Sequence, residues 1–163
     1  MATIDLKDEP APPTEASAQR PIPRRAFTVT SSIAANRVPL LFDGNFDTRW
    51  LTGRRQVGDE WIRIEFDAPR DVSRVRMDTA ERSLGDYPRA LVITSGEGDL
   101  AQTLYAGSPL GALMKGILRE PGRAPIEIAL PPNKTTTLML RQTGQTRTWY
   151  WSIHELTLRE RVP

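Results

Sequence analysis

Apolar residues in this chain recur with a period of two over short runs, and proline or glycine interrupts each run before it can lengthen. Trp61-Ile-Arg-Ile-Glu-Phe66 sets Ile62, Ile64 and Phe66 on one face and Arg63 and Glu65 on the other, the pattern of a half-buried strand. Asp67-Ala-Pro-Arg-Asp71 turns the chain, and strand character resumes from Val72 to Met77. Arg89 to Ser95 is a denser apolar strand, closed by the hairpin-type turn Gly96-Glu-Gly-Asp99. Ile126, Ile128 and Leu130 alternate until Pro131-Pro-Asn133 stops them, and Leu138 and Leu140 begin again. The last run, Trp149 to Leu158, carries Trp151, Ile153, Leu156 and Leu158, with His154 and Glu155 interrupting it. No long amphipathic helix is predicted; Val38 to Phe42 has the length of a short helical turn only. About eight short strands punctuated in this way predict an all-β fold, an antiparallel β-sandwich or jelly roll.

A chain of 163 residues holds one domain with a real core. Residues 1–25 scatter Pro10, Pro12, Pro13, Pro21 and Pro23 among Glu, Ala, Ser and Thr, the composition of a Pro-rich linker or flexible tail, which leaves 26–163 as the folded domain. There is no cysteine, so disulfides, thiolate metal sites and a cysteine nucleophile are excluded. The formal net charge is only +2. Its sequence pI of 9.3 reflects bases that are overwhelmingly arginine and do not titrate near neutrality. Nucleic acid is therefore not expected as a partner. No apolar run reaches the roughly 18 residues that span a bilayer, and no apolar stretch of a secretion signal opens the chain.

The densest chemistry lies in Leu40-Leu-Phe-Asp-Gly-Asn-Phe-Asp-Thr-Arg-Trp50. Asp43, Asn45, Asp47 and Thr48 offer oxygen donors at the short intervals a hard cation such as Ca²⁺ selects, and Gly44 allows a sharp turn between them. The start matches an EF-hand loop, but Thr48 stands where glycine is needed and Arg54 where a bidentate glutamate is needed. An EF-hand is excluded, and any further carboxylate must come from elsewhere in the chain.

Four segments in order carry a resemblance: Asp43-Gly-Asn-x-x-Thr-x-Trp50, Trp61-Ile-x-Ile-Glu-Phe66, Asp86-Tyr-Pro88 with the strand ending Thr94-Ser-Gly-Glu-Gly98, and Trp151-Ser-Ile-His-Glu-Leu156. Over about residues 27–160 the sequence resembles the discoidin, or coagulation factor 5/8 type C, domain and its galactose-binding-like relatives, the family 32 carbohydrate-binding modules. The resemblance implies a discoidin-type jelly roll with Trp50, Trp61 and Trp151 in its core. It also implies one structural Ca²⁺, with Na⁺ as an alternative. The implied ligands are the carbonyl of Leu40, the carboxylate of Asp43, the carbonyl of Asn45, the carbonyl and hydroxyl of Thr48, the carbonyl of His154 and the carboxylate of Glu155. Asp47 is expected to stay on the loop surface.

The resemblance further implies a non-catalytic carbohydrate-binding module in a larger bacterial cell-envelope or carbohydrate-active protein, with an extracytoplasmic location, periplasmic or at the cell surface. Sugar contacts are expected from the loops at one end: Arg54, Arg82, Tyr87, Arg147 and Trp149, with Trp149 as the aromatic platform. The loop histidine used by several galactose binders is missing, which argues against galactose itself. His154 lies in a strand without a triad motif, and no phosphate-binding glycine loop exists, so no catalysis is expected. Two alternatives use the same fold. One is an accessory interaction domain packed on the rest of a larger enzyme, such as a membrane glycosyltransferase. The other is an anionic membrane-surface binder using Leu110, Leu113 and Met114 in a glycine-rich loop.

Overall fold

The computed structural model describes residues 18–163. Eleven strands and one α-helix follow in order: β1 (Gln19–Pro21), β2 (Phe27–Ser31), β3 (Trp50–Leu51), β4 (Glu60–Arg70), β5 (Val72–Asp78), β6 (Leu91–Ser95), β7 (Gln102–Gly107), α1 (Leu110–Arg119), β8 (Pro125–Ala129), β9 (Thr135–Gln142), β10 (Ser152–Ile153) and β11 (Glu155–Arg161). The eight strands of five or more residues correspond to the expected short runs. They form a five-stranded sheet, β2-β4-β9-β6-β7, and a four-stranded sheet, β1-β11-β5-β8, all antiparallel. One core is shared between them, with Ile62, Ile64, Leu138, Leu140, Leu91 and Ile93 from the first sheet and Val75, Met77, Ile126, Leu156 and Leu158 from the second. The fold is the antiparallel β-sandwich expected from the strand spacing. No helix among the described residues is long and apolar enough to cross a membrane.

The two-stranded ribbon β3-β10 sits where the loops gather. Trp50 and Trp151 are fully buried there, edge to face with ring centroids 5.0 Å apart. Beyond β10 the chain changes partner at His154, whose N–H donates to the Asp78 carbonyl at 2.8 Å, and continues as β11 against β5. That switch brings Glu155 to the edge of the 43–48 loop.

Three expectations are corrected. Trp61 is not in the core: the period-two register of β4 turns it outward with Arg63 and Glu65, and buries Glu60 in its place. The folded chain also begins earlier than residue 26, because Gln19–Pro21 pairs with Pro21↔Arg159 as the last rung of an edge strand. Proline is tolerated at an edge, where its missing N–H breaks no ladder. The rest of the Pro-rich segment, residues 1–17, lies outside the described residues.

The third correction concerns residues 110–119, which form a ten-residue α-helix and not a glycine-rich loop. Leu113 points into the core, while Leu110, Met114 and Leu118 leave an apolar stripe exposed on the other side. Only two of the three leucine and methionine spikes imagined for a membrane contact are therefore free. Gly116 explains how the helix seats: a Cβ there would land on the Pro125 carbonyl oxygen of β8. Gly116→Ala is expected to push α1 off the sheet and destabilise the domain by about 1–3 kcal/mol, read as a lowered urea midpoint with unchanged slope.

Candidate functional site

Three loops converge beside the β3-β10 ribbon, and a single buried side chain ties them. Gln56 is 1% exposed. Its Nε2 donates to the carbonyls of Tyr87 (2.9 Å) and Tyr150 (2.7 Å), and its Oε1 accepts the Arg89 N–H (2.9 Å). Its backbone N–H donates to the Trp149 carbonyl (3.0 Å), and its carbonyl accepts from Thr146 (3.1 Å). The loops of residues 52–59, 80–90 and 143–151 thus share one hydrogen-bonded hub.

Trp149 is 48% exposed, and its ring lies flat on Gly85, where no Cβ intervenes. The ring borders an open pocket of about 300 Å³, completed by Arg49, Arg82, Asp86 and Tyr150. Arg49 donates to Asp86 (3.0 Å) and to the Ser83 hydroxyl (2.6 Å), and Ser152 donates to the same Asp86 oxygen (3.0 Å). The pocket therefore pairs an apolar face with charged groups already fixed in place.

Beneath it lies fully buried His154. Its Nδ1 is 2.9 Å from the Phe46 carbonyl, which can only accept, so Nδ1 carries the proton and Nε2 accepts from Ser83 at 2.9 Å. Burial holds the imidazole below its ordinary pKa, favouring the neutral ring. The Ser83–His154 contact could suggest a nucleophile and base. However, Ser83 is only 4% exposed and also receives Arg49, and no carboxylate faces Nδ1. The pair braces the pocket floor against the 43–48 loop, on whose Phe46 ring His154 stacks at 5.6 Å.

Of the residues expected to touch a ligand, Arg82 and Trp149 meet in this pocket. Arg147 borders a neighbouring cleft with Arg55. Arg54 turns away onto Asp59 and stands 3.9 Å from Glu60. The Tyr87 ring is covered by the Arg89 guanidinium at 3.8 Å, and the residue packs against the core. Arg49 was not foreseen; its signal is its place one residue before core Trp50, which sends it to the opposite side of the strand.

Glu60 supports the same region. It is fully buried and accepts the N–H groups of Val57 (2.9 Å) and Gly58 (3.0 Å) and the Gln142 amide (3.1 Å). Burial alone would raise its pKa, but these hydrogen bonds outweigh it and hold the carboxyl below its ordinary 4.5. A depressed folded pKa contributes stability above the unfolded value that is lost as pH falls through the folded one. Glu60→Gln is therefore expected to lose stability at pH 7 and to show a flatter loss than wild type below about pH 4.5, measured by thermal melts across pH.

The 43–48 loop is organised around Asp43, which accepts the Asn45 N–H (2.9 Å) and the Thr48 hydroxyl (2.6 Å). These bonds hold its carboxyl below the ordinary range. Leu40 sits in the 3₁₀ turn Ala35–Leu41 that feeds the loop. Asp47 faces outward and accepts Arg82 at 2.9 Å. Glu155 is close enough to Asp43 for each to influence the other's proton affinity; burial and the Asp43 charge push Glu155 up. Its Oε1 is buried without a hydrogen-bond partner among the described residues. No cluster of three or more acidic or histidine side chains gathers among those residues, so any cation here would rely on two carboxylates completed by carbonyls and a hydroxyl. A doubly charged hard ion fits that donor set, and it would satisfy the orphaned oxygen.

No family model and no curated protein matches this sequence. The fold itself is found among solved structures. The family 32 carbohydrate-binding module from Clostridium perfringens NanJ, in complex with galactose, matches with a TM-score of 0.65 at 15% identity, covering 88% of this chain and 100% of that one. The family 32 module of AlyQ, in complex with 4,5-unsaturated mannuronic acid, matches with 0.58 at 19% identity, covering 80% and 92%. The paired modules of Clostridium perfringens ZmpB, in complex with GalNAc, match with 0.66 at 14% identity, covering 87% of this chain but 36% of that chain. This chain thus spans whole isolated modules and about a third of the paired ones. Its fold is the β-sandwich seen in these family 32 modules.

Proposed function

We propose that this chain is a non-catalytic carbohydrate-binding module of a larger cell-envelope or carbohydrate-active protein. The observation that carries the reading is Trp149, a half-exposed aromatic laid flat on Gly85 at the edge of a pocket that also holds Arg49, Arg82 and Asp86. An indole face accepts the C–H side of a pyranose, while the guanidiniums donate to hydroxyls and Asp86 accepts from them. Solved proteins of the same fold carry galactose, GalNAc and a mannuronic acid derivative, which supports a sugar as the ligand class. The hub at Gln56 and the floor at His154 set the donors before a ligand arrives, limiting the ordering cost of binding.

Ca²⁺, with Na⁺ as the alternative, belongs to this reading as a brace and not as a sugar contact. Asp43 and Glu155 would hold it, completed by carbonyls of Leu40, Asn45, Thr48 and His154 and the Thr48 hydroxyl. When bound it supplies positive charge that cancels two converging carboxylates. The same loop receives Arg82 at Asp47 and His154 at Phe46, so a firm loop also fixes the pocket's edge.

Titration of a glycan array, followed by calorimetry on the hits, tests the reading. Micromolar to millimolar binding lost in Trp149→Ala supports it; silence across the array from folded protein contradicts it. The exposed stripe Leu110, Met114 and Leu118 favours a second reading, a domain that packs on the rest of its parent protein. Under that reading Met114→Glu leaves the isolated domain stable but weakens its association with the adjoining segment of the full-length protein.

A further inference from the structure

We infer that the Trp149 pocket continues into a basic subsite, formed by Arg55 and Arg147, that selects a carboxylated glycan of the polyuronate class. The inference rests on the carbohydrate reading and adds the ligand's charge to it. Residues 55–57 and 145–147 together line a cleft of about 560 Å³ whose lining contains no acidic side chain. The other arginines around the loop end are engaged: Arg49 with Asp86, Arg54 with Asp59, Arg82 with Asp47, and Arg89 with the carbonyls of Tyr87 and Gly85. Arg55 and Arg147 are exposed and have no ion pair or side-chain hydrogen bond among the described residues.

The backbone of the cleft is tied to the loop that carries the aromatic platform. Thr146 N–H to the Gln56 carbonyl joins the two segments that line it, and Gln56 N–H to the Trp149 carbonyl joins them to the start of the Trp149–Trp151 segment. Arg147 lies two residues from Trp149 in the same loop. The cleft lined by Arg55 and Arg147 is therefore tied through Gln56 to the loop that carries Trp149, and a glycan chain running from one to the other would meet both arginines. Guanidinium forks match planar carboxylates bidentately, and two uncompensated cations in one cleft gain most from an anionic partner. A neutral glycan would leave both unpaired.

The test is calorimetry of the whole domain with oligogalacturonate, its fully methyl-esterified form and a sulfated galactan oligosaccharide. Methyl esterification removes the charge while keeping the sugar ring. The acid is expected to bind roughly tenfold more tightly than the ester at low salt, with the advantage shrinking as salt rises and vanishing in Arg55→Ala/Arg147→Ala. A melt confirms that the double variant is folded. Equal binding of acid and ester overturns the inference, and if Trp149→Ala removes both, the sugar-binding reading stands without it. Preference for the sulfated oligosaccharide over the uronate overturns the carboxylate assignment. Absence of binding by all three overturns the inference, while silence over a wider neutral glycan panel is the separate result that removes the sugar-binding reading.

Discussion

Gly85→Ala is expected to weaken glycan binding at the proposed Trp149 site while leaving the fold intact. A Cβ at residue 85 would fall inside the van der Waals envelope of the Trp149 ring, against three of its carbon atoms. Gly85 carries no left-handed backbone angle, so alanine introduces no backbone strain of its own. The neighbour that must yield is the far end of a half-exposed side chain, which can swing away into solvent. Stability should therefore change by only about 0.5 kcal/mol, as for ordinary surface substitutions. The platform, by contrast, would be lifted off its seat and its face turned from the pocket. Losing a central aromatic anchor costs about 2 kcal/mol or more, roughly thirty-fold in Kd. Trp149→Ala should give a similar loss. Equal affinity in wild type and Gly85→Ala would show that the ring's position does not matter to the ligand.

Calcium is expected to raise the melting temperature of chelator-treated protein, and Glu155→Gln is expected to abolish the rise. An ion that binds only the folded state at a hundred times its Kd adds about 2.7 kcal/mol. For a domain of this size that is roughly 5–10 °C. Without an ion, the Glu155 charge is disfavoured by burial and by Asp43, with one oxygen unsatisfied. Removing that charge relieves the repulsion, so chelated Glu155→Gln should melt at or above chelated wild type. With calcium the order should reverse. A calcium response of equal size in both proteins would remove Glu155 from the ion site.

How much of this was legible in the sequence depended on how local the cause was. The period-two runs gave the strands and the sandwich, because alternation is decided residue by residue. The same alternation, applied strictly, turns Trp61 outward and Glu60 inward; the motif resemblance suggested otherwise for Trp61, and the register decided. Helix α1 was also written in the chain, since Leu110, Leu113, Met114, Ile117 and Leu118 follow a helical spacing. Gly111 and Gly116 disguised it as a loop, and only the close approach to Pro125 explains why a glycine is needed mid-helix. In the sequence nothing marks Gln56 out from other polar loop residues, because its partners at Arg89, Tyr87 and Tyr150 are assembled by the fold. Likewise, nothing local separates engaged Arg54 from free Arg55; the difference is the direction in which each side chain leaves the turn and the presence of Asp59 on one side. The convergence of Asp43 and Glu155 joins segments distant in sequence, and it was anticipated only through the order of the four motifs.

The most direct test follows the four tryptophans of the chain through their indole N–H signals during titration with a glycan that binds. Trp50 and Trp151 are sealed in the core, Trp61 lies on the outer face of β4, and Trp149 alone borders the pocket. The account predicts a saturable shift of the Trp149 indole signal with the signals of Trp50, Trp61 and Trp151 unmoved. A glycan that binds while leaving Trp149 unshifted, or that shifts Trp61 in its place, would contradict it.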